Sequence, residues 1–245
     1  MPLSEPVAKR VTALNTRYKH HSATSVLEGA LRDAQVGKTA LVSSFGAESV
    51  VLLHLVSVID RTTPVLFIDT EMLFAETLDY QHELTERLHL KNVKVIRASD
   101  EMKKLHDPDG TLHQYNTDAC CDLRKTIPLQ NALNDYDAWI TGRKRYQSST
   151  RAALDFFENE DDTRIKINPL CHWDMSDLQD YMTENRLPRH PLVAKGYPSI
   201  GCAPCTSPVK EGEDPRAGRW RNSNKEECGI HFVNGKVVRG GGVAA

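Results

Sequence analysis

The chain has 245 residues, a length that fits one large α/β domain or two small ones. Its formal net charge of -2 argues against a general nucleic-acid-binding surface, so any anion site has to be built from locally clustered Arg and Lys. No apolar run approaches the ~18 residues of a membrane-spanning helix, and the polar residues 1–21 predict no signal peptide. We therefore expect a cytoplasmic or similarly reducing compartment, without membrane or nucleic-acid partners.

The hydrophobic pattern alternates between strand-like and helix-like segments. Strands are predicted at residues 39–43, 64–68, 92–96, 137–141 and 164–167. Helices are predicted at residues 22–31, 50–59, 74–88, 118–133 and 175–185. Ser22 is the predicted cap of the first helix, Pro128 a break or kink in the fourth, and Asp174 or Ser176 the cap of the last. This order predicts an α/β fold with a doubly wound, mostly parallel sheet.

Polar clusters follow three of the predicted strands, at residues 43–49, 69–70 and 142–151. In a parallel sheet the ligand lies beyond the carboxyl ends of the strands, so these clusters are expected to converge there. The third cluster is basic and follows an apolar strand, which favours anion binding over a solvated surface. A second basic group, residues 216–221, surrounds Trp220, and a flexible surface loop remains an alternative for it.

Residues 44–49 connect a predicted strand to a predicted helix. Backbone N–H groups at such a turn, together with a helix N-terminus, bind phosphate well, although an ordinary capped turn is an equal alternative. The segment resembles the pyrophosphate loop of the adenine-nucleotide α-hydrolase superfamily, whose usual form is Ser-Gly-Gly-Lys-Asp-Ser. Phe45 replaces a Gly of that form and Ala47 replaces the Lys. The missing Lys argues against cleavage of ATP pyrophosphate and for a nucleotide with fewer phosphates.

Four cysteines form two close pairs, Cys120 with Cys121 and Cys202 with Cys205. Four thiolates in two pairs are typical of a metal or iron–sulfur site. Zinc modules space their ligands by two to four residues, so the adjacent pair favours iron–sulfur over zinc. A redox Cys-x-x-Cys beside a coincidental pair is the other alternative. Lys125 lies on the helical face of Cys121, where its cation favours a negatively charged cluster.

Cys228 has no cysteine nearby and lies in a polar, Gly-containing tail. It is therefore a candidate nucleophile, which Gly229 lets approach a ligand and His231 is placed to polarise. A tail cysteine without a task is the alternative. Cys171, beside His172, is expected to be a buried thiol.

In combination, these motifs resemble those of the family of assimilatory adenylyl-sulfate and phosphoadenylyl-sulfate reductases. The matching stretches lie in the family's order at residues 41–49, 66–70, 74–77, 120–129, 139–143, 147–151, 202–205 and 227–231. The resemblance implies a fold of the adenine-nucleotide α-hydrolase-like (PP-loop) type. It implies further that Cys120, Cys121, Cys202 and Cys205 hold a [4Fe–4S] cluster and that Cys228 is the catalytic nucleophile, assisted by His231.

The implied substrate is adenosine 5′-phosphosulfate, because family members that use the 3′-phosphorylated form commonly lack the four cysteines. Some cluster-bearing members accept both, so the second substrate stays open. The expected substrate-binding residues are Ser43, Ser44, Phe45, Gly46, Glu48, Ser49, Phe67, Asp69, Lys125, Gly142, Arg143, Arg151, Arg216 and Arg219. We expect residues 1–210 to form one nucleotide-binding domain with the iron–sulfur site, and residues 211–245 a mobile segment with the catalytic cysteine.

The implied reaction yields sulfite and AMP through an S-sulfocysteine on Cys228. Thioredoxin or glutaredoxin is the expected electron donor, as a separate protein, because no thioredoxin-like domain follows. An iron–sulfur enzyme that thiolates RNA with ATP is a more distant alternative, disfavoured by the charge and the missing loop Lys. A zinc-stabilised binding module with a redox-sensing cysteine is another, and a homo-oligomer is left open.

Overall fold

The computed structural model describes residues 3, 5–147, 151–221, 225 and 229, and the backbone of residues 232–233 and 236–237. The strands are Thr39–Ser43 (β1), Val65–Ile68 (β2), Val93–Ile96 (β3), Ala138–Ile140 (β4), Phe157–Glu160 (β5), Arg164–Ile167 (β6), Phe232–Val233 (β7) and Lys236–Val237 (β8). The first six form one sheet in the order β3-β2-β1-β4-β6-β5, and β7 pairs with β8. Within the large sheet only β5 runs antiparallel to its neighbour. The predicted α/β, mostly parallel fold is confirmed.

The α-helices are Val7–Tyr18 (α1), Ala23–Arg32 (α2), Ser49–Ile59 (α3), Ala75–Arg87 (α4), Asp100–His106 (α5), Leu112–Tyr115 (α6), Thr117–Cys121 (α7), Ile127–Leu133 (α8) and Met175–Glu184 (α9). A π-helical turn, Asp122–Thr126, joins α7 to α8. Short 3₁₀ turns occur at Arg145–Gln147, Pro191–Lys195 and Ala203–Cys205. In the described part of the chain, no helix combines the length and apolarity that a membrane crossing requires.

The sheet separates two apolar layers because successive strand residues point to opposite faces. In β2, Val65 and Phe67 pack into the larger core with helices α1 to α4 and α9, whereas Leu66 and Ile68 face the other side. There, Leu129 of α8 closes a smaller core. The inner strands β2 and β4 are buried at every residue, which is why each is a short continuous apolar run.

All five predicted strands form, and β1 and β6 have the predicted bounds. Ser22 caps α2 by accepting from the Ser25 amide, and of the two proposed caps for α9 it is Asp174 that accepts from the Asp177 amide. The prediction missed α1, since only three of its twelve residues are buried, and β5, whose Phe-Glu-Asn-Glu sequence lacks an apolar alternation.

The irregularity predicted at Pro128 in the fourth helix is found earlier in the chain, before that residue. The helical ladder changes to π geometry at Asp122–Thr126, and Pro128 lies in the first turn of α8. Proline fits that position because the first amides of a helix need no intrahelical partner. The structure thus has an irregular turn directly after Cys121, a place where π turns often accompany functional sites.

His190 joins α4 to the 3₁₀ turn Pro191–Lys195 and is buried. Its Nε2 lies 3.1 Å from Thr77 Oγ1, its Nδ1 accepts from the Leu192 amide at 3.2 Å, and its ring packs edge-to-face against Tyr80. Burial lowers the pKa of His190 to about 4. The folded chain therefore holds this imidazole neutral at pH values where an unfolded chain protonates it.

We expect this histidine to make the fold acid-sensitive. Between pH 6.5 and 4 the unfolded state binds more protons at this site, so stability is full above pH 6.5 and falls as the pH drops towards 4. The wild type should lose about 3 kcal/mol of unfolding free energy relative to His190→Asn over that window, at 1.36 kcal/mol per pKa unit. Urea denaturation at a series of pH values measures this, and parallel pH profiles of the two proteins would contradict it.

Candidate active site

A cavity of about 320 Å³ opens at the carboxyl ends of β1 and β4. Parallel pairing of β1 with both β2 and β4 brings the loops after these strands to one edge of the sheet. The expected substrate-binding residues that line the cavity are Ser43, Ser44, Gly46, Glu48, Ser49, Gly142, Arg143, Arg151, Arg216 and Arg219. Its size is that of a small-molecule site.

The loop after β1 is held by its own serines. Ser43 Oγ accepts from the Phe45 amide at 3.2 Å, and Ser49 Oγ accepts from the Gly46 amide at 3.0 Å. Phe45 has a φ of 48°, in the left-handed region that a bulky residue rarely adopts. Its ring is fully buried and packs edge-to-face on Phe67. The buried ring anchors the strained turn, and the loop backbone is set before any ligand arrives.

Four expected substrate-binding residues do not line this cavity: Phe45, Phe67, Asp69 and Lys125, the last of which lines the second cavity described below. The side chains of Phe45 and Phe67 belong to the larger core, on the side of the sheet that helices α1 to α4 and α9 cover. Asp69 is buried and binds Arg97 Nε at 2.9 Å and the Glu71 amide at 2.8 Å. A position at the end of a strand predicts that a residue lies near the ligand cavity, but the direction of its side chain decides whether it lines that cavity.

The cavity wall is predominantly basic. Its charged lining residues are Arg143, Lys144, Arg151, Arg216 and Arg219 against the two carboxylates Glu48 and Asp214. Arg145 and Arg221, which the sequence grouped with these cations, turn away to Asp155 and Glu213. Arg143 binds Glu158 and donates to Asn168 Oδ1 at 3.2 Å, so its guanidinium is fixed in direction. The remaining positive excess favours an anionic ligand.

Glu48 and Lys144 form an ion pair across the cavity floor, with Lys144 Nζ 2.6 Å from the carboxylate. Tyr146 and Gln147 also donate to this carboxylate. Burial acts to raise the pKa of Glu48, but the Lys144 charge and these hydrogen bonds outweigh it and lower the pKa. Burial lowers the pKa of Lys144, whose side chain is only 3% exposed.

Removing one partner of this pair should destabilise the fold more than removing both. Glu48→Ala leaves the Lys144 cation without its carboxylate and is expected to cost about 2 kcal/mol, below the range for fully buried pairs since Glu48 is partly exposed. Adding Lys144→Met should recover most of that loss, which denaturant unfolding of the three proteins would measure. A double variant as unstable as the sum of both single changes would contradict this reading of the pair.

A second, smaller cavity contains the predicted cysteine group. It is lined by Thr70, Met72, His113, Thr117, Cys120, Cys121, Arg124, Lys125, Cys202, Cys205 and Trp220. Cys202 forms an isolated antiparallel bridge with Leu73, and the Ala203 amide donates to Met72 O at 2.8 Å. These contacts bring two cysteine pairs that are about 80 residues apart in sequence to one place.

No disulfide joins any two of these four cysteines, and three of the four are buried. Burial raises the pKa of the Cys120 thiol to about 12, and burial also raises that of Cys205. For Cys202, the cation of Lys125 and the Thr70 hydroxyl 3.2 Å away outweigh burial and lower the pKa. Lys125 therefore lies beside the cysteines, away from the first cavity where we expected it to bind substrate.

Four cysteine sulfurs that line one cavity, with the Lys125 cation beside them, are a donor set of the kind that holds zinc or an iron–sulfur cluster. Among the described residues, no three His, Cys, Asp or Glu side chains are grouped closely enough to hold one metal ion.

A buried ion pair holds the helix that carries Cys120 and Cys121. Arg124 donates to Asp107 Oδ2 through Nε at 3.1 Å and Nη2 at 2.7 Å, and its Nη1 donates to Thr70 O at 3.0 Å. Both side chains are almost fully buried. Such a bidentate pair fixes direction as well as distance, so Arg124 ties the π turn to the loop after β2.

Arg219 and Trp220 form the wall between the two cavities. Arg219 lines the first cavity and donates through Nη1 to Ile200 O at 3.2 Å. Its guanidinium lies 4.5 Å from the ring centroid of Trp220, which lines the second cavity. A Cβ added to Gly201 would lie 2.4 Å from Arg219 Nη2, so a side chain at Gly201 would displace the guanidinium.

Some expected site residues lie outside the described part of the chain, and some lining residues were not predicted. Cys228 and His231 belong to the first group. The second group includes Tyr146, Met175, Pro198, Ser199, Ile200, Asp214 and Pro215. All of them except Tyr146 and Met175 follow α9, and tertiary folding of that segment brings them to the strand ends without a local motif to predict it. Of these residues, Tyr146 is the one that the sequence could have predicted, because it lies inside the basic cluster of residues 142–151.

Comparison with known proteins gives one consistent result. A family model described as the phosphoadenosine phosphosulfate reductase domain matches residues 38–208. An adenosine 5′-phosphosulfate reductase of Mesorhizobium japonicum is 50% identical over 226 residues, 92% of this chain and 89% of that protein. One of Halalkalibacterium halodurans is 38% identical over 234 residues, 94% of this chain and 100% of that protein.

Comparison with solved structures leads to the same family and fold. A phosphoadenylyl-sulfate (PAPS) reductase of Candida auris, in a phosphate complex, aligns with a TM-score of 0.69 and 28% identity over 85% of this chain and 99% of that chain. Yeast FAD synthetase in complex with FAD aligns with a TM-score of 0.52 and 16% identity over 83% and 77%, a likeness of fold alone. By its sequence and its fold, this chain belongs to the phosphoadenosine phosphosulfate reductase domain family.

Proposed function

We propose that this protein reduces adenosine 5′-phosphosulfate to sulfite and AMP in assimilatory sulfate reduction. The observation that carries the proposal is the shared Arg219–Trp220 wall between a basic, nucleotide-sized cavity and a cavity lined by four cysteines. The basic cavity suits a phosphosulfate, whose charge the arginines can offset. Relatives with 38% to 50% identity that bear the name adenosine 5′-phosphosulfate reductase support this substrate over its 3′-phosphorylated form.

In the proposed reaction, Cys228 is the nucleophile. Its thiolate attacks the sulfate sulfur, an S–S bond forms, and the bond from that sulfur to the phosphate oxygen breaks. AMP leaves with the electron pair, and the enzyme carries an S-sulfocysteine. A donor thiolate then attacks Cys228 Sγ, sulfite leaves with the S–S electron pair, and a mixed disulfide forms. A second donor thiol resolves it, so a dithiol supplies the two electrons that reduce the sulfur.

The cations of the first cavity would stabilise the departing phosphate. Charge develops on the phosphate oxygen as the S–O bond breaks, and preorganised donors at that oxygen lower the barrier. Arg143 is held in direction by Glu158 and Asn168, and Arg219 by Ile200 O, so both are oriented before the reaction. In this proposal Arg216, on the same wall, adds the third cation.

A [4Fe–4S] cluster is the cofactor that we propose for the second cavity. Cys120, Cys121, Cys202 and Cys205 would hold it, and the cavity that all four line supports this donor set. When bound, such a cluster supplies negative charge and rigidity beside the substrate site. Lys125 stands beside the sulfurs and would offset that charge.

The remaining parts of the proposal concern partners and organisation. Thioredoxin or glutaredoxin would supply the dithiol, and the site of action would be the cytoplasm. Residues 1–210 would form the nucleotide-binding domain with the cluster, and residues 211–245 the segment that delivers Cys228. His231 would assist by polarising the thiol.

The covalent intermediate is the direct test. After removal of thiol reductant, protein incubated briefly with adenosine 5′-phosphosulfate should gain one SO₃ group in its intact mass. Cys228→Ser should gain nothing yet still bind AMP, because the cavity residues are unchanged. A faster reaction with the 3′-phosphorylated nucleotide would reassign the substrate. No adduct with either nucleotide, from protein that carries iron, would contradict the proposal and favour ATP-dependent thiolation.

Gly201→Ala should reproduce the binding defect of Arg219→Ala without a charge change. The new methyl group would meet the Arg219 guanidinium at 2.4 Å and push it from the cavity wall. A charge-assisted hydrogen bond contributes about 1.5–3 kcal/mol, so the Kd for AMP should rise by roughly tenfold or more in both variants. Calorimetric titration measures this. Wild-type affinity in Gly201→Ala would show that Arg219 does not contact the nucleotide.

A further inference from the structure

One loop of the chain contributes side chains to both cavities. Residues 206–221, called here the arginine loop, begin directly after Cys205. Arg216 and Arg219 line the first cavity, whereas Trp220 lines the second, as Cys205 does. Two of the cations proposed to bind the phosphosulfate and part of the wall beside the cysteines therefore belong to one short segment. The shape of both cavities depends on how that segment is held.

The two ends of the arginine loop are joined by backbone contacts. The Ser207 amide donates to Gly218 O at 2.9 Å. The Trp220 amide donates to Cys205 O at 3.0 Å. A Cβ added to Gly218 would lie 2.1 Å from Ser207 O, so the two stretches of chain approach here more closely than any other residue type would allow. A compact surface loop whose ends meet in this way is an Ω-loop.

The middle of the arginine loop is tied to its ends by an ion pair between Glu213 and Arg221. Arg221 Nη1 donates to Glu213 Oε1 at 2.9 Å and Nη2 donates to Oε2 at 2.8 Å, so each carboxylate oxygen has its own donor. The same guanidinium donates to Ser207 Oγ at 3.1 Å and to Pro208 O at 2.9 Å. Two parallel charge-assisted bonds fix direction as well as distance, so this pair closes the loop across its width.

A short chain of contacts connects Glu213 to the two cations. The next residue, Asp214, accepts from the Arg216 amide through Oδ1 at 2.7 Å. Arg216 O in turn accepts from the Arg219 amide at 2.8 Å. The backbone that carries both guanidinium groups is therefore built on the turn that Glu213 anchors, and its position depends on the pair with Arg221.

We propose that Glu213 and Arg221 are positioning residues, which hold the arginine loop closed and thereby orient Arg216 and Arg219 for the nucleotide. The inference rests on the proposed function in one respect, that the first cavity binds the nucleotide through these two cations. Neither Glu213 nor Arg221 is among the described residues that line the two cavities, so they act through the loop and not by contact. Their side chains are 28% and 35% exposed, and water screens such a pair, so it contributes little to global stability.

The experiment titrates iron-loaded protein with AMP in a calorimeter. Arg221→Lys keeps the charge and loses the paired bonds, while Glu213→Gln keeps the shape of the side chain and loses its charge. The Kd for AMP should rise about two- to tenfold in each variant, because cations that are no longer preorganised lose conformational freedom when they bind. Arg32→Lys is the matched control and should keep the wild-type Kd, since Arg32 pairs with Glu28 at 2.6 Å on α2, outside both cavities.

A double-mutant cycle separates orientation of the cations from any other effect on binding. If Arg221 acts through Arg219, then Arg221→Lys should raise the Kd by a smaller factor when Arg219→Ala is already present than in the wild type. The same should hold in Arg216→Ala. An equal factor in all three backgrounds would overturn the positioning role, because a merely structural weakening does not depend on which cations remain.

Hydrogen exchange reports on the loop directly. In Arg221→Lys and Glu213→Gln, the peptide that spans residues 206–221 should exchange faster than in the wild type, while peptides from α2 keep their rates. Wild-type affinity in both variants, or weaker binding with unchanged exchange of this peptide, would overturn the inference and leave the proposed function standing. So would a failure of both variants to fold, because the pair would then serve stability. A wild type that binds no AMP would overturn the proposed function, and this inference with it.

Discussion

The structure depends on bringing four cysteines, from two distant segments, into one largely buried cavity. Cys120 and Cys121 come from α7, and Cys202 and Cys205 from a 3₁₀ turn far along the chain. The loop after β2 lies between them and contacts both. Its Thr70 carbonyl accepts from Arg124, and its Thr70 hydroxyl lies 3.2 Å from Cys202 Sγ. That loop directly follows the central strand β2. The position of the cysteine group is therefore fixed relative to the sheet, and so relative to the sheet edge where the first cavity lies.

This fixed position of the cysteine group explains why the two cavities adjoin. The chain that leaves Cys205 returns through Arg219 and Trp220, and it places a guanidinium on one side of the wall and an indole on the other. In the proposed enzyme the cysteines would hold a cluster on one side of this wall and the cations would bind a phosphosulfate on the other, and charges act more strongly through low-dielectric protein than through water. Lys225, beside the same indole, extends this wall to the tail.

The sequence predicted those features of the fold that depend on short stretches of neighbouring residues. The bounds of β1 and β6, the Ser22 and Asp174 caps and the grouping of the cysteines into two pairs all follow from short patterns. The sequence missed β5, which forms only because β6 offers it an edge, and it misplaced Phe67, whose direction depends on strand register. Contacts such as that of Lys225 with Asp118, 107 residues apart, have no sequence signal at all.

The central claim is that the four cysteines hold one iron–sulfur cluster beside the basic cavity. The most direct measurement is iron and acid-labile sulfide per chain, with Mössbauer spectra, on anaerobically purified wild type and on Cys120→Ser and Cys202→Ser. The account predicts about four irons and four sulfides in the wild type. It also predicts loss of the cluster in both variants, since the two substituted cysteines come from different segments and both segments are needed to hold one cluster. Stoichiometric zinc, or iron that survives both substitutions, would contradict it.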